Sequence, residues 1–139
     1  AAAAPGDAVR GSETILLVED EDAVRALVHR LLSDLGYTVL DARTGREALE
    51  LAEPSGAIHL LLTVAVMPEM SGPELVARLL ESRPHLPVMH MSGYAEETVG
   101  RFGAFPASSH HLPKPFTAAQ LAAAVRAALD EIASPAPPA

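Results

Sequence analysis

The sequence contains no cysteine and no tryptophan, and aromatic residues fill only 4% of its 139 positions. Without cysteine, disulfides, zinc–thiolate centres and thiol catalysis are excluded. That is compatible with the cytoplasm, where the chain is expected to reside. So few rings leave Leu, Val, Ile and Ala to build the core. At 49% hydrophobic, the chain has enough of them for one domain. Long basic runs are also missing, and the net charge is −8. A nucleic-acid-binding surface needs clustered Lys and Arg, so direct nucleic-acid binding is not expected. A cation or a partner protein suits this charge better. No apolar run reaches the ~18 residues of a membrane span, and no membrane contact is expected.

The opening AAAAPGDAVRGS lacks the basic and apolar regions of a signal peptide. Residues 1–12 are expected to be a disordered linker or expression remnant. The Pro/Ala-rich residues 134–139 are expected to be a disordered tail, which leaves 13–133 as the folded unit.

Within that unit, apolar runs at 14–18, 37–42, 57–64, 86–91 and 109–112 read as strands. Val24, Leu27, Val28, Leu31, Leu32 and Leu35 have the spacing of one helix face, and Gly36 suits the position just past its end. Thr44 with Glu47, Ser71 with Glu74, and Thr117 with Gln120 have capping-box spacing for three more helices. Leu75, Val76, Leu79 and Leu80 give one of these its buried face, and Leu121, Val125, Ala128, Leu129 and Ile132 another. A short helix is expected in the middle of 92–109, broken up by Gly100, Gly103 and Pro106. Five strands alternating with five helices imply an α/β fold with a parallel sheet covered on both faces. In such sheets, sites gather beyond the carboxyl ends of the strands.

Those ends carry Glu19-Asp20-Glu21-Asp22, then Val64 with Met67-Pro68, then Ser92-Gly93, then Lys114-Pro115-Phe116. Two acids at a sheet edge can hold a hard cation such as magnesium. A hydroxyl and an ammonium can flank a phosphoryl group beside it. Taken singly, each residue also has a structural reading. The acids can cap a helix, Ser92 can sit in a turn, and Lys114 can be a solvated charge.

Together, ILLVEDED, LLLTVAVMPEMSG, MSGYAEE and LPKPF resemble the receiver domain of bacterial two-component response regulators. The SGYAEE and LPKPF wording looks most like receivers of hybrid sensor histidine kinases. The resemblance implies a doubly wound, flavodoxin-like sheet in order 2-1-3-4-5. It also implies phosphoryl transfer from a phosphohistidine to an aspartate ending the third strand, with magnesium bound. By resemblance, Glu19, Asp20 and the backbone carbonyl of Val66 are the metal ligands. Ser92 is the hydroxyl residue and Lys114 the lysine. Val64 falls on the phosphoacceptor, so no intact catalytic residue is expected there.

Valine has no oxygen lone pair with which to attack phosphorus. Thr63 is a poor substitute, because adjacent strand residues face opposite sides of the sheet. A carboxylate about 4 Å from a cation contributes roughly 4 kcal/mol at an effective dielectric of ~20, so its loss leaves magnesium binding weak or absent. A second departure is His111, which stands where the family's switching aromatic belongs; with Tyr94 it is the expected switch and interaction pair. Nothing ties His59 or His90 to a metal.

The sequence therefore suggests a degenerate receiver that works as a phosphorylation-independent interaction module and is not an enzyme. Its expected partners are a histidine kinase, a phosphotransfer protein or an output domain. The alternative is a conventional Asp-phosphorylated receiver whose acceptor has been replaced by valine. A small metal-dependent phosphatase built on Glu19 and Asp20 is disfavoured, because no nucleophile is evident.

Overall fold

The first apolar run, TILLV, forms β1 (Thr14–Val18), in which Ile15 to Val18 are fully buried. It opens the element order β1, α1 (Asp22–Asp34), β2 (Thr38–Ala42), α2 (Gly45–Ala52), β3 (Leu60–Val64), α3 (Gly72–Ser82), β4 (Val88–Ser92), β5 (His110–Pro113) and α4 (Ala118–Ala133). The computed structural model describes residues 10–54, 56–67, 69–92, 105–106 and 108–133. The five strands form one parallel sheet in the order β2-β1-β3-β4-β5. This is the expected doubly wound order.

Among the described residues there are four helices. The short helix expected within 92–109 falls mainly on residues outside the described ones. The same holds for most of the expected linker and for the whole of the expected tail.

Local chemistry sets the boundaries. Thr44 accepts from the Glu47 N–H at 3.1 Å, and Ser71 from the Glu74 N–H at 3.2 Å, so each caps its helix as expected. Thr117 and Gln120 complete a reciprocal box, at 3.0 and 2.8 Å. Helix α1 closes through Gly36 at φ +103°, a left-handed conformation that favours glycine. The Tyr37 N–H then turns back to the Leu32 carbonyl, so β2 starts at Thr38 and not at Tyr37. Strand β4 starts at Val88, two residues later than expected. Leu86 donates backward to the Arg83 carbonyl, and Pro87 has no N–H to offer the ladder.

The core lies on both sides of the sheet. Leu60, Leu61 and Leu62 are all fully buried, although alternate residues face opposite ways. Each such side chain contributes roughly 1.5–3 kcal/mol relative to exposure. Helix α1 packs beside α4, and α2 beside α3. Right-handed crossovers put these pairs on opposite faces. The carboxyl ends of all five strands therefore share one rim.

Candidate functional site

At that rim Val18 pairs with Thr63, and Val64 pairs with Met91. Glu19, one step past Val18, thus stands level with Val64. The Glu19 backbone is fixed at both ends. Its N–H donates to the Ala42 carbonyl at 3.1 Å, and its carbonyl accepts from Arg25 Nη1 at 2.9 Å. Its side chain is 1% exposed. Oε1 accepts from Lys114 Nζ at 3.3 Å, while Oε2 is buried with no hydrogen-bond partner among the described residues. Burial pushes the Glu19 carboxyl above the usual carboxylate range, and the Lys114 ammonium opposes that push.

The neighbouring acids behave differently. Asp20 is exposed. Glu21 precedes α1 without making a side-chain cap bond. Asp22 accepts from Arg25 at 2.7 Å, and Arg25 and Arg43 hold its carboxyl below the usual range. The helix-capping reading of Glu19, Asp20 and Asp22 therefore fails for Glu19, whose carboxylate lies on Lys114.

Lys114 follows β5, and its N–H donates to the Ser92 carbonyl at 2.7 Å. To reach Glu19 at the end of β1, its side chain crosses the ends of β4 and β3. Val64, the last residue of β3 and 1% exposed, stands on that path. Gly72 is pressed beneath it. A Cβ there would strike the Val64 carbonyl and approach Phe105 Cζ to 2.9 Å. Thr63 is on the opposite face, with its hydroxyl donating to the Val64 carbonyl at 3.0 Å.

Ser92 is buried, and its Oγ shares a short hydrogen bond with His111 Nε2. His111 pairs in register with His90, and their rings stack at 4.6 Å. His90 stacks in turn on Phe105 at 4.1 Å, nearly parallel. Burial, helped by the neighbouring His111, lowers the His90 pKa from 6.5 to about 4. Val66 is half-buried, and Tyr94 lies outside the described residues. His59 Nδ1 accepts from the Thr14 N–H at 3.0 Å, a backbone-satisfying role. Among the described residues, no group of three or more His, Asp or Glu side chains is arranged to hold a metal ion.

The structure thus brings Glu19 to Lys114 and Ser92 to His111, and leaves Asp20 in solvent. The rim offers a buried ion pair, a tethered hydroxyl and a hydrocarbon at the end of β3. Sequence reasoning did not find the His90–Phe105 stack, the Arg25 brace, or the choice of Glu19 by Lys114. The last of these joins residues 95 positions apart, for which the sequence carries no local signal.

The family model for the response regulator receiver domain matches residues 15–126. The sensor kinase CckA of Brucella abortus (strain 2308) is 44% identical over 122 residues, which is 87% of this chain and 13% of that protein. The response regulator MprA of Mycolicibacterium vanbaalenii is 35% identical over 115 residues, covering 83% of this chain and 49% of MprA. The chain therefore spans half or less of these curated relatives. The crystal structure of the receiver domain from the hybrid histidine kinase CckA superposes with a TM-score of 0.71 at 38% identity, covering 84% of this chain and 98% of that one.

Proposed function

This chain belongs to the response regulator receiver domain family, and from that premise we propose that it serves two-component signalling as a phosphorylation-independent protein-interaction module. The observation that carries the reading is Val64. It ends β3, almost wholly buried, where the family resemblance puts the phosphoacceptor. Its side chain has no lone pair, and no change of pKa or geometry supplies one. The surrounding groups offer no replacement. Glu19 is committed to Lys114, and Thr63 faces the other side of the sheet.

Glu19, Asp20 and the Val66 carbonyl would hold magnesium, and they fit it poorly. Lys114 already pairs with Glu19 through Oε1, Oε2 is buried, and Asp20 faces solvent, with no acid at position 64 to draw these donors together. Magnesium binding is accordingly weak or absent. The partner is a histidine kinase, a phosphotransfer protein or an output domain, met in the cytoplasm through the surface near β4, β5 and His111. Nucleic acid is not a direct partner.

A second reading is a conventional receiver whose aspartate has been replaced. It is favoured by the retention of Glu19, Ser92 and Lys114 at the rim. Acetyl phosphate with magnesium, followed by intact-mass measurement, tests the first reading. The wild-type chain is expected to keep its mass, and Val64→Asp to gain a hydroxylamine-labile phosphoryl group. Phosphorylation of the wild-type chain on any acidic side chain would defeat the proposal. The coding gene decides between the two readings.

A further inference from the structure

The last helix grips the chain just before it enters β1. Arg126 on α4 places Nη2 at 2.6 Å from Glu13 Oε2, and its Nη1 donates to the Arg10 carbonyl at 3.1 Å and to the Tyr37 hydroxyl at 3.3 Å. Asp130, one turn on, orients the same guanidinium through Nε at 3.0 Å. The arginine side chain is only 16% exposed. The hydrogen-bonded Arg126 guanidinium holds the Glu13 carboxyl below the usual carboxylate range.

The backbone is built for this contact. The Gly11 N–H donates to the Leu35 carbonyl at 3.1 Å, and the Glu13 carbonyl accepts from the Thr38 N–H at 3.0 Å. A Cβ on Gly11 would come within 2.5 Å of Arg126 Nη1, and one on Gly36 would strike the Gly11 carbonyl. Two glycines therefore cross where the strap lies down. Arg10–Ser12, read from sequence as linker, are fastened at several points. On its other side α4 is tied to β5 by Glu131 and His110 at 3.0 Å, and His110 adjoins the His111 that holds Ser92.

We propose that Arg10–Glu13 is a latched strap through which Arg126 couples the segment preceding the domain to the last helix, and through that helix to β5. Such coupling is reciprocal: what loosens one end loosens the other. Both groups of the Arg10–Gly11 peptide bond are engaged, so trypsin reads the latch directly.

Cleavage after Arg10 is expected to be slow in the wild-type chain and roughly tenfold or more faster in Arg126→Gln, the factor expected on losing a charge-assisted pair. Amide exchange at Gly11 and Thr38 should quicken in the variant, while Leu61, in the centre of the sheet, keeps its protection. The His110 ring resonances should also move. Equal cleavage rates would overturn the latch, and unmoved His110 resonances would overturn its coupling to β5. Should Leu61 also lose protection, Glu13→Gln removes the same pair without altering α4 and decides by the same comparison.

Discussion

Acidification should destabilise this domain through the ring of His90. His90 sits between Phe105 and His111, and its Nδ1 is buried without a hydrogen-bond partner among the described residues. Its pKa is lowered from 6.5 to about 4. The unfolded chain therefore takes up a proton near pH 6.5 that the folded chain refuses until about pH 4. Between those values the unfolded state holds more protons, so stability rises with pH. The contribution of neutral His90 is complete above about pH 6.5 and is lost as pH falls towards about 4. A displacement of that size corresponds to about 3 kcal/mol, and partial solvent access reduces it to roughly 2. Against a typical total stability of about 5–15 kcal/mol, that is readily measured. Urea unfolding of the wild-type chain and of His90→Phe at pH 7, 6, 5 and 4 isolates it, because the carboxylates titrate alike in both. The stability advantage of the wild type should shrink, or its deficit grow, by roughly 2 kcal/mol on acidification. A pH-independent difference would refute the assignment.

Lys114→Met should leave the Glu19 carboxylate buried and unpaired, costing about 3–5 kcal/mol in urea unfolding, and adding Glu19→Gln should recover part of that loss. Gly72→Ala should cost roughly 1–3 kcal/mol by thermal melting, since its methyl would collide with the Val64 carbonyl. Magnesium should raise the melting temperature of Val64→Asp more than that of the wild-type chain; equal shifts would count against the poor fit of the donor set.

Much of the architecture is legible because it is local. TILLV is a strand of the expected bounds because a β-branched Thr14 leads four apolar residues and no turn residue interrupts them. Thr44, Ser71 and Thr117 mark helix starts through bonds to residues only three positions ahead. Boundaries shifted where a backbone N–H had a prior engagement, as at Tyr37 and Leu86. At the site, the residue types and their strand ends were readable from spacing, but their pairings were not. Glu19 and Asp20 are adjacent in sequence, yet one is buried on a lysine and the other faces solvent. Only the assembled sheet decides which acid Lys114 reaches. Arg126 meets Glu13 across 113 positions, a pairing for which the sequence carries no local signal.

The most direct test is phosphotransfer to the unaltered chain. A phosphohistidine donor from a two-component kinase, mixed with the protein and magnesium, should leave it unlabelled, whereas Val64→Asp under the same conditions should take up label. Stable label on the wild-type chain, mapped to an acidic side chain at the sheet rim, would contradict the claim that valine silences the site.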